Sequence, residues 1–233
     1  MPVTDEAIDK IKGMITSGEL GPGDRLPKEA DLAIRLGLSR NSLREAIRAL
    51  SMIRVLDVRQ GDGTYVTSLE PRLLLEAMSF VIDLHQDLSV LEIFEVRRIL
   101  EPAAAALAAQ RVTPEDVETL RGMVGSVADD TSVEDLVAHD LSFHRHISEL
   151  SGNAYLSSLL DTLASSTVRA RIWRGLTEKN AVAQTLAEHR RIVDALAAGD
   201  PDLVRSLLVG HIGGVQGWLQ QAGGRAPRTS ATD

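Results

Sequence analysis

Two short β-type runs set the plan of the N-terminal third of this chain. Arg54-Val-Leu-Asp-Val-Arg and Thr64-Tyr-Val-Thr are joined by Gln60-Gly61-Asp62-Gly63, a hairpin with a glycine turn. Three helical stripes precede them. Asp5 to Ser17 carries Ile8, Ile11, Met14 and Ile15 at helical spacing, and GELGPGDRLP, rich in glycine and proline, breaks it. Lys28 to Leu36 reads as a second short helix closed by Gly37. Ser39 is placed to N-cap a third helix through Ser51, with Leu43, Ala46, Ile47 and Leu50 forming its inward stripe. Three helices and then a two-stranded wing is the winged helix-turn-helix plan.

Such a plan serves DNA binding only if its cations are exposed on one side. The whole chain of 233 residues carries a net charge of −8, which argues against a general nucleic-acid binder. The charge is unevenly spread, however. Residues 1–67 hold ten Lys/Arg against ten Asp/Glu, and residues 68–233 hold fifteen against twenty-three. A neutral N-terminal segment on an acidic body can still present a basic surface. Arg40, Asn41, Arg44 and Arg48 lie outside the apolar stripe of the third helix. The opening Ser39-Arg40-Asn41-Ser42-Leu43-Arg44 offers guanidinium, amide and hydroxyl groups able to reach base edges and phosphates. The helix N-terminus adds free N–H groups suited to phosphate.

The stretch GELGPGDRLPKEADLAIRLGLSRNSLREAIRALSMIRVLDVRQGDGTYV resembles the GntR-family DNA-binding domain over nearly all of residues 5–67. The resemblance implies that Arg40 and Arg44 contact DNA from the recognition helix. It also implies that Ser39, Asn41 and Ser42 meet phosphate or base edges, and that Gln60 and Gly61 enter the minor groove at the wing tip. Three positions depart from the family pattern. Ala30 stands where an Arg is common, Arg54 replaces the Gly that usually starts the wing, and Asp62 is an unusual neighbour for phosphate. A positive φ at Arg54 would be strained.

The remainder reads as helices. No cysteine is present, so disulfides, thiolate zinc fingers and cysteine nucleophiles are excluded. Aromatics are only 3%, which leaves a core of Leu, Ile, Val and Ala and favours packed helices. No apolar run approaches the length of a membrane span, and the N-terminus lacks a signal-peptide pattern, so the expected compartment is the cytoplasm. After a linker at 68–71, residues 72–222 are expected to form a bundle of six or seven helices, with 223–233 a frayed tail. The helices are placed at Arg72 to about His85, Ser89 (opening a capping box with Glu92) to Arg111, and from Thr113 with Pro114 at the first turn. Further ones run from Thr131/Ser132 to Ser151, Tyr155 to Thr177, Glu178 to Ala198, and Asp200 to about Gln221.

Within that bundle, Asp140 and His144 lie i, i+4 on or beside the stripe of Leu136, Phe143, Ile147 and Leu150. His189 falls among Leu186, Ile192, Val193 and Leu196, and His211 among Val204, Leu207, Leu208 and Val215. Burying an ionised carboxylate is expensive unless it is paired or bound to a metal. Three imidazoles and one carboxylate converging in a bundle make an N₃O set for a divalent ion, with Zn²⁺ the first candidate and Ni²⁺ or Mn²⁺ the alternatives. By spacing alone, each histidine is equally a hydrogen-bonded core residue, and Asp140 with His144 equally a surface pair. His85, His139 and His146 fall off the stripes and are left out of the set.

The stretches DLSFHRHISELSGN, EHRRIVDALAAGD and GHI resemble the ligand-bearing parts of the FCD domain, the effector-binding partner of the FadR-type GntR subgroup, over most of residues 70–220. That resemblance implies a metal held by Asp140, His144, His189 and His211. Arg97, in Glu95-Val-Arg97-Arg98-Ile-Leu-Glu101, matches the FCD arginine and suits a bidentate grip on a carboxylate effector. A surface salt bridge to Glu101 is the alternative. Asn153 is a further candidate for the same ligand. Together these imply a regulator that binds operator double-stranded DNA as a homodimer under control of a small organic acid, with no membrane partner. A metal-dependent hydrolase using the His/Asp site is the rival reading.

Overall fold

The computed structural model describes residues 3–71, 73, 89–128, 131–178 and 180–223, which divide between two compact units, Met1–Met78 and Ser79–Asp233. Apart from Leu73, the helix expected from Arg72 to His85 lies outside the described residues, as do the side chain of Ser89 and the tail from residue 224.

In the first unit, α1 (Val3–Thr16), α2 (Glu29–Leu36) and α3 (Arg40–Met52) precede β1 (Leu56–Arg59) and β2 (Gly63–Val66). Gly37 takes the left-handed conformation at φ 65°, and the N–H of Leu38 reaches Ala33 O, which ends α2 as the sequence implies. Ser39 caps α3, its Oγ accepting from Ser42 N at 3.0 Å. Ala7, Ile11 and Met14 of α1 pack with Leu32, Leu43, Ala46, Ile47 and Leu50, and Leu56 and Val66 close that core from the sheet. The strands pair antiparallel, Leu56 with Val66 through to Arg59 with Gly63. The segment before α2 lies along the other edge of β2. Leu26 N donates to Thr64 O, Val66 N donates to Asp24 O, and Arg25 bridges to Tyr65.

Arg54 does adopt φ 60°, so the residue standing at the usual glycine position is strained. Its carbonyl accepts from Thr67 Oγ1 at 2.7 Å, which fixes the entry to the wing. Asp62 at the turn is occupied within the wing. Its Oδ2 accepts from Tyr65 OH at 2.9 Å, and its carbonyl accepts from Arg25 Nη2.

Among the described residues the second unit holds seven helices: α4 (Ser89–Ala109), α5 (Pro114–Gly125), α6 (Val133–Leu150), α7 (Ala154–Ser165), α8 (Val168–Thr177), α9 (Ala181–Ala197) and α10 (Pro201–Gly223). Thr113 and Asp116 form a capping box at α5, and Ser132 caps α6. Phe94, Phe143, Leu120, Leu186, Ile192 and Leu208 sit in one core in which α4 and α10 pack along each other. The single helix expected from Tyr155 to Thr177 is two. Ser165, Ser166 and Thr167 return their hydroxyls to Asp161 O, Thr162 O and Ala164 O, an alternative to helix continuation that ends α7. Buried Thr167 also accepts from Arg97 Nη1 at 3.0 Å, which anchors the break.

Candidate metal centre and nucleic-acid interface

The opening turn of α3 presents the expected polar set. Ser39, Arg40, Asn41 and Arg44 are exposed, and Ser42 is half-buried with its Oγ 2.8 Å from Ser39 Oγ. Arg44 ion-pairs with Glu29 at the start of α2 (3.3 Å). Gln60 and Gly61 are exposed at the wing tip, where Gly61 takes φ 78°. The two arginines expected to read DNA therefore project from the third helix, with their apolar neighbours Leu43, Ala46 and Ile47 buried behind them.

In the second unit, Asp140 and His144 of α6, His189 of α9 and His211 of α10 are all buried, and one ligand atom from each lies within 4.8 Å of every other. Asp140 Oδ1 is 3.4 Å from His144 Nε2, 3.1 Å from His189 Nε2 and 3.5 Å from His211 Nε2. His144 Nε2 and His211 Nε2 are 3.1 Å apart. Atoms bound at 2.0–2.1 Å to one tetrahedral zinc would stand about 3.4 Å from one another, so these are separations a coordination shell needs. His189 Nε2 is fully enclosed and lacks an aligned hydrogen-bond partner, an orphan that a cation would satisfy.

The opposite ring nitrogens complete the fit. His211 Nδ1 and Glu188 Oε2 are hydrogen-bonded at 2.7 Å, His144 Nδ1 lies 2.7 Å from Glu101 Oε2, and His189 Nδ1 is 3.4 Å from His139 Nε2. The carboxylates beside Nδ1 of His144 and His211 favour Nε2 as the lone-pair nitrogen of those two rings. Burial works against the charge of Asp140, but the Arg171 guanidinium and His144 outweigh it and hold the carboxyl well below its usual range. His189 is pushed down to about 3 by burial, so its imidazole is neutral and free of a competing proton. Burial also opposes charge on His211, yet its bonds to Asp140 and Glu188 raise it. Burial and then the Arg97 charge bring Arg171 down to about 10.

Beside Asp140 and His211 is a cavity of about 40 Å³ bordered by Arg171, Arg174 and Thr185. Arg171 Nη1 donates to Asp140 Oδ2, whereas its Nη2 is buried without a partner. Arg97 is almost fully buried and does not border this cavity. Its Nε donates to Glu101 and its Nη1 to Thr167, so the pair with Glu101 is a buried one rather than a surface bridge. Asn153 caps α7, its side chain accepting from Leu156 N at 3.1 Å, and it too stands away from the cavity.

Glu101, Glu188, His139, Arg171 and Arg174 were not assigned to the site from the sequence. Glu188 directly precedes a ligand but serves a different one, His211. Arg171 and Arg174 share an i, i+3 face, a spacing common to any solvated helix. Only their burial, 7% and 6% exposed, distinguishes them.

Comparison with known proteins bears on both units. The family described as "Bacterial regulatory proteins, gntR family" matches residues 3–66, and the FCD domain matches residues 92–214. The chain belongs to the GntR family. This GntR-family regulator is similar to the HTH-type transcriptional regulator LutR of Bacillus subtilis, 31% identical over 87% of this chain and 94% of that one. It is also similar to the putative L-lactate dehydrogenase operon regulatory protein of Escherichia coli, 32% identical over 90% and 83%. Among solved structures, Streptococcus agalactiae GntR superposes with a TM-score of 0.69 at 29% identity, covering 92% and 99%. These relatives are transcriptional regulators, not enzymes, and the hydrolase reading is set aside on that ground. No helix among the described residues is long and apolar enough to cross a membrane.

Proposed function

We propose that this regulator is a cytoplasmic, homodimeric repressor whose hold on its operator is released by a small organic acid bound at a divalent metal in the second unit. Paired half-sites read by two winged helices require two-fold symmetry, which supports the dimer. Asp140, His144, His189 and His211 would hold the ion, with zinc the first candidate. The ion supplies a Lewis-acid position for one oxygen of the ligand.

The observation that carries the reading is the unpartnered, buried Nη2 of Arg171 beside the four-residue cluster and its cavity. A guanidinium with a free donor next to a metal suits a carboxylate. Arg174 and Thr185 offer a second cation and a hydroxyl on the same walls. Arg97 acts behind this grip by holding Glu101 against His144, and through Thr167 it meets the segment that leads into α8. A shift of α8 on ligand binding would be felt by α4 along that route. The name of the lactate-operon relative supports a short hydroxy acid over a large ligand.

The test is a titration of full-length, zinc-loaded protein onto DNA upstream of its own coding region, with acetate, lactate and a longer hydroxy acid. An acid should weaken binding by about fivefold or more. Arg171→Lys, which keeps the charge but loses the fork, should abolish that response. A wild-type affinity that none of these acids changes would sink the reading.

A further inference from the structure

A second cationic element of the DNA-binding unit lies outside the recognition helix. The Arg25 side chain crosses the backbone of the wing at Gly63. A Cβ at position 63 would stand 2.5 Å from Arg25 Nε and 3.1 Å from its Cζ, so only the absence of a side chain lets the guanidinium lie there. The same guanidinium donates from Nη2 to the Asp62 carbonyl, with Nη1 3.9 Å from Asp62 Oδ1. Its backbone is equally fixed, because Arg25 bridges to Tyr65 and Leu26 N donates to Thr64 O at 2.8 Å.

Arg59 lies over the Tyr65 ring at 4.3 Å, while Tyr65 OH donates to Asp62. Arg25, Arg59 and Asp62 border an open cleft of about 320 Å³ that also touches Ile47 of α3, Lys28 and the wing tip Gln60-Gly61. Glu29, the partner of Arg44, stands on its rim. The cleft thus lies between Glu29, which holds Arg44, and the wing tip, the two places where DNA contact is expected. Arg25 remains half-exposed there, with most of its five N–H groups unspent.

We propose that Arg25 is a phosphate-binding residue of the DNA interface, held at the wing by the missing side chain of Gly63 and by the Asp62 carbonyl. Its ligand is the deoxyribose-phosphate backbone, read without regard to sequence. Asp62, an acid facing DNA, thereby has a positive role: its main chain and side chain keep Arg25 and Tyr65 in place. The inference rests on DNA binding by the first unit but not on the metal or the effector.

The test uses the full chain and a random-sequence duplex, with affinity measured across about 50 to 200 mM salt. Arg25→Ala should weaken binding roughly tenfold, the worth of one charge-assisted contact. It should also make the salt slope shallower by about 0.9 for each chain bound. Gly63→Ala changes no charge and meets only the flexible Arg25 side chain, so it should fold normally yet reproduce both effects. The double variant should be no weaker than Arg25→Ala, because the glycine acts through the arginine. Thermal unfolding of each variant confirms the fold. An unchanged salt slope in Arg25→Ala overturns the phosphate contact. A Gly63→Ala protein that binds like wild type overturns the positioning. A wild type that fails to bind any duplex overturns the DNA-binding reading itself.

Discussion

Glu101 Oε2 lies 2.7 Å from His144 Nδ1, while its other carboxylate oxygen accepts from Arg97 Nε. One buried carboxylate thus connects the arginine of α4 to a histidine of the candidate metal centre. Arg97 and His144 hold Glu101 below the usual carboxylate range despite its burial, so it stays an acceptor at any physiological pH. Glu188 plays the same part toward His211 at the other side.

Removing the charge of either carboxylate should loosen the metal without removing a ligand. Glu101→Gln and Glu188→Gln are each expected to lower zinc affinity by about 10- to 100-fold. Competition with a chromophoric chelator measures it. Wild-type affinity in both variants would mean that the negative charge behind each histidine does not strengthen its grip on the metal.

The chelator-treated protein should be most stable near pH 6.5. His189 stays neutral in the folded chain down to about 3, whereas the unfolded chain takes up that proton near about 6.5. Between those values the unfolded state binds more protons, so this histidine makes stability fall as pH falls, by about 1 kcal/mol per pH unit. His211 acts oppositely. Its folded pKa is raised, so its contribution is complete below the unfolded value and is lost as pH rises through the folded one. Asp140 adds a further loss only in strong acid, below the ordinary carboxylate range. Urea unfolding of the stripped protein from pH 4 to 9 checks the shape. Stability that rises steadily from neutral toward pH 4 would contradict it.

Much of this was legible in the sequence because buried ligands must fall on apolar stripes. Asp140, His144, His189 and His211 each sit at core spacing, and the structure brings them together. The wing was legible from its turn glycine and β-type flanks. The break at Thr167 was not, since nothing in a run of Ser and Thr marks which hydroxyl will turn back to the backbone. Glu101, Glu188 and Arg171 were hidden for a different reason. Charged residues at helical spacing normally face solvent, and only tertiary packing decides that these are enclosed.

On the DNA side, Arg40→Ala and Arg44→Ala should each cost about 1–3 kcal/mol of specific binding with the fold intact. Arg44 must leave or share its contact with Glu29 to reach a base, so its loss should be the smaller where Glu29 is kept. Footprint titration on the natural operator decides. Unchanged affinity in both variants would remove α3 from the interface.

Arg54→Gly should stabilise the first unit by about 1 kcal/mol, because glycine takes positive φ without the Cβ penalty. Chemical denaturation of the full chain reads the change. A destabilised Arg54→Gly protein would show that the contacts of the arginine side chain outweigh its backbone strain.

The central claim is that Asp140, His144, His189 and His211 form one metal site, and the direct measurement is zinc binding by purified full-length protein. The account predicts one ion per chain by elemental analysis, ligated by three histidine nitrogens in X-ray absorption. At a thousandfold excess over the dissociation constant, that ion should add about 4 kcal/mol to folding stability. In His189→Ala both the stoichiometric ion and the stabilisation should be lost. A wild type that binds no zinc, nickel or manganese and gains no stability from any of them would contradict the account.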